Sequence, residues 1–512
     1  MKTKNVLRIA APVILILVAV GCAKNPVTGK NELMLVSEQW ELQVGKQQYV
    51  PLRQSQGGDY VVDPGVEAYV RKVGNRLAAK SDRKLPYEFN VINSSVPNAW
   101  ALPGGKISIN RGLLTELKSE AELAAVLGHE IVHAAAKHGA RGQSRGLLLQ
   151  GGVMLATVAG NREGYGQLAQ VGSMIGAQLI NTRYGRDAEL ESDRFGMEYM
   201  SRAGYDPRGA VDLQQTFVRL SEGRNPSFIQ GLFASHPPST KRVAENIATA
   251  RKLPSGGTVG RQEYTRAMER LRRTETAYAN FDKAQKALAD GKVNEAKRLT
   301  QLAIKQESKE SHFHSFMGDI ALRQKNSSAA KRHYDRAISL NKEFFWSYVK
   351  RGELHLANRN YRAAKADFNT SMKLLPTPTA EAGLGDIEKA GGNVQAAKKH
   401  YANAAQGSGP AADRAMDSLL KLDLSDNPGN YVLAQHGVTE KGTLGIRFTN
   451  RTKRPIGNID IQVRTSSGQT FLARTINGTL GPGKSQIVDT GKRITQAQAN
   501  AVRVIVLDAV VK

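Results

Sequence analysis

The sequence predicts a multidomain protein with an α+β domain, an α-helical solenoid and a C-terminal antiparallel β-sandwich. Three observations support this prediction: a capped apolar helix early in the chain, a 34-residue repeat, and strand-like alternation near the end. The chain has 512 residues, which is enough for about three or four domains of ordinary size. The expected segments are a signal peptide at 1–21, the α+β domain at 23–255, the helical repeats at 275–408 and the β-sandwich at 425–512.

The first residues have the features of an export signal. Three basic residues precede an apolar run at 9–20, which is too short to span a bilayer. Cys22, the single cysteine of the chain, follows at once and is the predicted site of lipid attachment. The alternative is an ordinary signal peptide with an unrelated cysteine. We expect a lipid-anchored protein of the periplasm, and by resemblance to enterobacterial lipoproteins Ala23 favours the outer membrane.

Composition and charge limit the possible classes of protein. With 40% hydrophobic and 23% charged residues, the chain is typical of globular proteins and unlike disordered or membrane-embedded ones. The net charge of +26 favours anionic surfaces, or it reflects a solvated basic face. Because the sequence has no zinc-finger or other nucleic-acid motif, we expect no nucleic acid partner.

The α+β domain is expected to contain two helices that carry most of its candidate functional residues. One is predicted from Glu120 to about His138, because Ser119 and Glu122 match a capping box and apolar residues follow. The other begins at Arg186. Between them, two glycine-rich apolar stretches at 146–160 and 168–180 are expected to form buried or lid-forming helices, with contact to a membrane surface as the alternative.

Residues 275–408 repeat with a period of 34. Small residues recur at the positions where paired helices cross, and an aromatic residue mostly follows four residues later. This is the tetratricopeptide pattern, whose stacked helix pairs form a groove for other chains. The columns are Ala296, Ala330, Ala364 and Ala397; Thr300, Tyr334, Phe368 and Tyr401; and Gly318, Gly352 and Gly385.

The helix at 120–138 carries the strongest chemical signal, the sequence His129-Glu130-Ile131-Val132-His133. His129 and His133 lie four residues apart and therefore share a helix face, where two imidazoles can bind one zinc ion. Glu130 can act as the general base toward a water that the metal activates. The motif predicts a zinc metalloprotease with one Zn²⁺ per subunit.

A catalytic zinc needs a third protein ligand, and the acidic segment after Arg186 offers one. Glu189 and Asp193 lie four residues apart and share a helix face, whereas Glu191 points elsewhere. The carboxylate one turn beyond the ligand suits a hydrogen-bonding partner or a proton donor. Spacing alone leaves Glu189 and Glu191 open as the ligand.

Together these motifs resemble the HtpX and CAAX-prenyl-protease superfamily of gluzincins, particularly its exported BepA-like lipoproteins with tetratricopeptide repeats. Glu-Leu-Glu-Ser-Asp at 189–193 is similar to the family's E-x-E-A-D, with serine in place of alanine. The resemblance implies a zincin-like α+β fold, Glu189 as the third metal ligand and Asp193 as a catalytic acid. It covers about residues 1–408 and leaves the C-terminal β-domain outside.

Two further segments acquire an expected role from this resemblance. Asn98-Ala99-Trp100-Ala101 resembles an edge strand beside the cleft, which could hold an extended substrate by β-augmentation. His236, in Ser235-His236-Pro237-Pro238, is a candidate for a gate that occupies the open position at the metal. The alternative is a histidine that only orders a loop. His138 is expected at the surface or behind a ligand.

The leading hypothesis is an endopeptidase that degrades misfolded or stalled envelope proteins. The repeats would recruit these substrates or an outer-membrane assembly machinery. The alternative is a periplasmic chaperone or assembly factor that acts mainly through its repeats. Integral-membrane processing of prenylated proteins is disfavoured, because no segment after residue 22 is long and apolar enough to span a bilayer.

Overall fold

The computed structural model describes residues 22–149, 184–223, 236–237 and 239–512. The predicted signal peptide and most of the two glycine-rich stretches lie outside these residues, as do Ser235 and Pro238. The chain forms two compact units, residues 1–347 and 348–512. In the described part of the chain, no helix combines the length and the apolar character that crossing a membrane requires.

The first unit begins with strands and two long helices. Its strands are β1 Cys22–Lys24, β2 Asn31–Leu33, β3 Glu88–Ile92, β4 Ala99–Leu102 and β5 Lys106–Asn110. β1 and β2 form an antiparallel hairpin. The other three form a sheet of order β3-β5-β4, in which β3 runs parallel and β4 antiparallel to β5. β4 is therefore an edge strand among the described residues of this sheet.

Ten helices complete the first part of this unit as far as the structure describes it. They are α1 Glu38–Ser55, α2 Pro64–Ala78, α3 Arg111–Glu116, α4 Glu120–Ala135, α5 His138–Leu149, α6 Arg186–Arg202, α7 Gly209–Gly223, α8 Thr240–Ala250, α9 Arg261–Ala267 and α10 Glu269–Arg273. α4 is buried along its whole length, which agrees with its apolar sequence.

Both ends of α4 differ in detail from the prediction. Ser119 Oγ accepts a hydrogen bond from the Glu122 amide at 3.2 Å, but the Glu122 carboxylate accepts from the Lys118 amide instead of closing the capping box. The helix ends at Ala135, three residues before the predicted His138. The reason is Lys137, whose φ of 59° lies in the left-handed region and interrupts the helix. A new helix, α5, then begins at His138.

The repeats form successive antiparallel helix pairs. Their helices are α11 Glu275–Ala289, α12 Val293–Gln306, α13 Ser311–Arg323, α14 Ser327–Leu340, α15 Phe345–Ala357, α16 Tyr361–Leu374, α17 Pro378–Ala390, α18 Val394–Ala405 and α19 Pro410–Asp423. Tyr278 of α11 and Phe313 of α13 belong to the same hydrophobic core as Leu123 of α4. The first repeats are thus part of the first compact unit.

The repeated columns of the sequence correspond to contacts inside the repeats. The repeated alanines are fully buried, and so are Tyr334 and Phe368. A Cβ atom at Gly318 would lie 2.5 Å from the Tyr334 ring, and one at Gly385 would lie 2.7 Å from the Tyr401 ring. The glycine of one helix therefore makes room for the aromatic ring of the next helix, which explains why both recur with one period.

The C-terminal region consists of two three-stranded antiparallel sheets. Their orders are β10-β7-β6 and β11-β8-β9. Inward-facing residues of both sheets, such as Phe448 and Val463, belong to one core that also includes Leu420 of α19. The elements are β6 Val432–Val438, β7 Thr443–Asn450, β8 Ile456–Thr465, β9 Thr470–Leu480, β10 Ser485–Arg493, the short helix α20 Gln496–Asn500 and β11 Val502–Val511, preceded by a 3₁₀ turn at Pro428–Asn430.

Candidate metal centre

The two histidines of α4 point at the same spot. Their Nε2 atoms lie 3.0 Å apart, and both side chains are almost completely buried. The spacing of four residues is the cause, since it places both imidazoles on one face of the helix.

The crossing of α4 and α6 brings the acidic segment to this face. A Cβ atom at Gly128 would lie 3.1 Å from the Gly196 carbonyl oxygen, and one at Gly196 would lie 3.0 Å from the His129 amide nitrogen. The two glycines therefore allow the helix backbones to approach closely. As a result, Glu189 reaches both histidines, with its carboxylate oxygens 3.5 Å from His133 Nε2 and 3.6 Å from His129 Nε2.

His236 completes the cluster from a different part of the chain. Its Nδ1 lies 3.1 Å from Glu189 Oε1 and 3.3 Å from His129 Nε2, and the residue is 4% exposed. One donor atom from each of His129, His133, Glu189 and His236 lies within 4.8 Å of the other three. Sequence spacing could not predict this meeting, because His236 is more than a hundred residues away from His129.

The donor set fits a metal ion of the zinc type. Zinc–nitrogen bonds of about 2.0–2.1 Å in a tetrahedron require donor atoms roughly 3.3 Å apart. Contacts of 3.0 to 3.6 Å join His129 to His133 and His236, and the Glu189 carboxylate oxygens to all three histidines, and the four donors all lie within 4.8 Å of one another. Imidazole and carboxylate ligands also suit zinc chemically, although other divalent ions accept the same ligands.

Glu130 lies beside the donor set and does not belong to it. Its Oε1 is 3.6 Å from His236 Nε2, and the residue is 3% exposed. Burial penalises the charged form and raises the pKa of Glu130, and the nearby His236 and His129 only partly offset this effect. A carboxylate with a raised pKa next to a metal-binding cluster is suited to accept and return a proton.

His129 is held from behind by an ion pair. Its Nδ1 lies 2.9 Å from Asp193 Oδ1, and Arg242 donates two hydrogen bonds of 2.7 Å to the same carboxylate. Burial alone would raise the pKa of Asp193, but Arg242 outweighs it and holds that pKa below its usual value. An ionised Asp193 can only accept, so His129 donates through Nδ1–H and its Nε2 lone pair faces the cluster.

His133 is held by a second histidine. His138 Nδ1 lies 2.8 Å from His133 Nδ1, and His138 Nε2 lies 3.1 Å from Glu191 Oε1. Burial lowers the pKa of His138, so its imidazole is neutral. Glu191 accepts the Nε2–H of His138, which leaves Nδ1 of His138 to accept from His133. His138 is 2% exposed and thus lies behind a ligand and away from the surface.

These contacts separate the two acids that spacing left open. Glu189 lies within the donor cluster, and the positive groups around it, led by His236, outweigh the effect of burial and hold its pKa well below the usual value. Glu191 contacts His138 on the far side of His133. The geometry therefore favours Glu189 as the metal ligand. Glu191 instead accepts a hydrogen bond from His138, which contacts His133.

Sequence reasoning did not find two residues of the site. Arg242, on α8, bonds to Asp193 and also lies 3.0 Å from Glu189 Oε2. Tyr184 stacks on His133, with ring centroids 4.1 Å apart. Ser239 indicates where α8 begins, because its side chain caps this helix three residues before Arg242. The sequence pattern does not show that α8 lies beside α6.

The predicted edge strand runs along the same site. Ala99 lines a cavity beside His129 and Glu130, while Ala101 lines another beside His133 and Tyr184. The intervening Trp100 points away and packs edge-on against Tyr49, with its Nε1–H donated to Gln56. All four residues of β4 are buried, so the strand is covered in this structure. The backbone oxygen of Asn98 accepts from the Asn110 amide at 2.8 Å.

Comparison with known proteins finds one family model and several relatives that match part of this chain. Residues 64–249 match the model of peptidase family M48. The beta-barrel assembly-enhancing protease of Yersinia pestis is 26% identical over 374 residues, which cover 64% of this chain and 75% of the relative. A putative protein of the same name from Vibrio cholerae is 33% identical over 202 residues, or 38% of this chain and 40% of the relative.

A third relative comes from a eukaryote. A mitochondrial metalloendopeptidase of Schizosaccharomyces pombe is 32% identical over 222 residues, or 43% of this chain and 63% of the relative. The chain thus spans well under two thirds of the Vibrio cholerae relative and just under two thirds of this one. The segment that matches the family model includes all four residues of the donor cluster. The chain matches the model of peptidase family M48 over residues 64–249, and it is a metallopeptidase similar to the beta-barrel assembly-enhancing proteases.

Proposed function

We propose that the protein is a zinc-dependent endopeptidase of the bacterial cell envelope that cleaves misfolded or stalled envelope proteins. The observation that carries this proposal is the donor cluster of His129, His133, Glu189 and His236 with Glu130 beside it. Relatives named as beta-barrel assembly-enhancing proteases support the envelope as the place of action. A lipid on Cys22 and outer-membrane attachment remain part of the proposal.

Each residue of the site has its own proposed role in catalysis. His129, His133 and Glu189 hold the metal, and a bound zinc ion supplies the Lewis acidity that peptide hydrolysis at neutral pH requires. Glu130 accepts the proton of the attacking water and returns it to the leaving amine. Asp193 keeps the Nε2 lone pair of His129 directed at the metal, and its ionised state favours this orienting role over a proton donor.

The substrate is proposed to bind as an added strand along β4. The edge of this strand that pairs with no other described strand lies beside the donor cluster, so a pairing peptide would pass close to Glu130. Because β4 is buried in this structure, the residues that cover it have to move first. His236 fits such a closed state, since it supplies the fourth donor where a catalytic site needs an open position.

Glu130→Gln tests the chemistry. The amide cannot accept the proton, so cleavage of unfolded casein should fall by about 10²- to 10⁴-fold, while zinc content and the folded far-UV spectrum stay as in the wild type. Full activity in this variant would contradict the proposed mechanism.

His236→Ala tests the gate, because freeing the fourth position should raise casein cleavage. An unchanged rate would assign His236 a structural role.

The repeats suggest how protein substrates or an assembly machinery could be recruited. Stacked helix pairs of this kind offer an extended surface for other chains. If cells with the Glu130→Gln variant keep an intact outer-membrane barrier, the chaperone or assembly-factor alternative gains over the protease. If the barrier fails as in a deletion strain, cleavage is the essential activity.

A further inference from the structure

The turn that joins α4 to α5 determines where His138 points. Lys137 has a φ of 59° and interrupts the helix, and α5 begins at the next residue. His138 Nδ1 then lies 2.8 Å from His133 Nδ1, behind a proposed metal ligand. The last carbonyl groups of a helix have no partner within that helix, so other parts of the chain have to satisfy them. A group that bonds to this turn therefore also fixes the imidazole behind His133.

Asn25, directly after β1, supplies such a group. Its Nδ2 donates to the backbone oxygen of Ala136 at 3.3 Å and to Glu32 Oε2 at 3.0 Å. Its Oδ1 accepts from the amides of Val27 and Thr28 at 2.9 and 3.2 Å. The residue is fully buried, and both donors and both acceptor positions of its amide are used. One side chain thus shapes the turn between β1 and β2 and also holds the end of α4.

The segment that follows Asn25 holds α5 at two more points. Glu32 of β2 forms an ion pair with Arg141. The Leu35 amide donates to Ser144 Oγ at 2.9 Å, and Ser144 is fully buried. Both contacts lie within the first two turns of the helix that begins with His138, so they limit the movement of its imidazole.

We propose that segment 25–35 is a positioning element of the metal centre, with Asn25 as a positioning residue that acts on His133 through His138. The hydrogen bonds of the Asn25 side chain include none of the four donor residues. Without the bond to Ala136, the turn gains freedom and His138 no longer holds His133 in one orientation. The inference rests on the proposed metal site and adds to it a residue 111 positions before Ala136.

The test measures zinc affinity by competition with a chelator. Asn25→Ala should lower the affinity about fivefold, because an outer partner of a metal ligand is loosened and no ligand is removed. Asn25→Asp keeps an acceptor for the amides of Val27 and Thr28, but it cannot donate to Ala136 and places a second negative charge beside Glu32. It should therefore lower the affinity at least as far, although the turn after β1 can still form.

A double-mutant cycle with His138→Ala separates positioning from a general loss of structure. If Asn25 acts through His138, then Asn25→Ala should change zinc affinity less than about twofold in the His138→Ala background. Its effect on urea unfolding of the metal-free protein should remain in both backgrounds. An equal loss of affinity in both backgrounds would overturn the inference.

Ser144→Ala provides a second route if Asn25→Ala does not fold. It removes the acceptor of the Leu35 amide and leaves Asn25 in place. Zinc affinity should fall about threefold, and this loss should also disappear in the His138→Ala background.

The chain offers a matched control in Asn450 of β7. This asparagine is also fully buried, and its Nδ2 donates to two backbone oxygens, those of Arg454 and Leu480. Its Oδ1 accepts from the Thr452 amide, as Oδ1 of Asn25 does from a residue two positions on. Because Asn450 belongs to the other compact unit, Asn450→Ala should lower stability and leave zinc affinity at the wild-type value.

The outcomes separate this inference from the proposed function. If the wild-type protein binds no zinc, the proposed metal site fails. If it binds zinc and both Asn25 variants bind zinc equally tightly, the positioning role is overturned and the metal site stands. Cobalt in place of zinc gives a second readout without turnover, since its visible absorption reports the ligand geometry. The spectrum should change in Asn25→Ala and stay unchanged in Asn450→Ala, and an unchanged spectrum in Asn25→Ala would count against the inference.

Discussion

The two histidines of α4 are supported by different kinds of group, although both are proposed to bind the same metal. Behind His129 stands the ionised Asp193, which is itself held by the guanidinium of Arg242. Behind His133 stands the neutral imidazole of His138, which passes its hydrogen bond on to Glu191. One support is a buried ion pair, and the other is a chain of neutral donors that reaches a carboxylate near the surface.

The difference shows which property of each support matters. Both supports fix the tautomer that leaves Nε2 free, and partners of this kind commonly change metal affinity 10- to 100-fold. Only the Asp193 support also balances a buried charge, since Arg242 has a side chain 5% exposed. We therefore expect disruption on the His129 side to cost both metal affinity and stability, and disruption on the His133 side to cost mainly affinity.

Asp193→Ala should have the largest effect. The variant leaves Arg242 buried without its main partner and His129 without an acceptor, so the free energy of unfolding should fall by about 3 kcal/mol. Zinc affinity should fall by about 100-fold. Urea unfolding of the metal-free protein and competition with a chelator measure the two quantities.

Asp193→Asn is the matched control for this change. The amide oxygen can still accept from His129 Nδ1–H, but the charge that balances Arg242 is gone. Stability should therefore fall nearly as far as in the alanine variant, while zinc affinity falls less. Equal losses of affinity in both variants would show that the charge, and not the hydrogen bond, orients His129.

His138→Ala should have the second-largest effect and a different profile. Removing the imidazole frees His133 to rotate, so zinc affinity should fall by about tenfold, with a smaller loss of stability because no buried charge is exposed. Glu191→Gln keeps an acceptor for His138 and should change affinity by less than about threefold. If His138→Ala destabilises the protein as much as Asp193→Ala, the contrast between the two supports is wrong.

The sequence could predict what depends on local spacing. His129, Glu130 and His133 follow from helical periodicity, and the repeat columns follow from a fixed period that places Gly318 against Tyr334. Glu189 could be separated from Glu191 only through resemblance to a family, because Glu189 lies 56 positions after His133. Over such a distance along the chain, helical spacing does not show which acid faces the histidines.

The remaining parts of the site depend on how helices cross. Arg242 reaches Asp193 only because α8 packs beside α6, and no pattern in either helix encodes that neighbour. The role of His138 depends on Lys137, whose left-handed backbone turns the chain so that the imidazole points back toward His133. Gly128 and Gly196 lie where the backbones of α4 and α6 approach closely, but no pattern in the sequence pairs these two glycines.

Lowering the pH should change stability differently through the two supports, and this is the smallest of the expected effects. Burial lowers the pKa of His138 below that of an unfolded histidine, so the unfolded chain takes up more protons as the pH falls below about 6.5. The free energy of unfolding of the metal-free protein should therefore decrease from about pH 6.5 to pH 5.5, with at most about 1.4 kcal/mol from this residue.

The pKa of Asp193 is also lowered, because Arg242 outweighs its burial, but its contribution is lost only below about pH 3.9. Urea unfolding should show a shallower pH dependence in His138→Gln than in wild type, and an unaltered one in Asp193→Asn. The reverse pattern would mean that His138 is already charged in the folded protein, and then it could not accept the hydrogen bond that directs His133 at the metal.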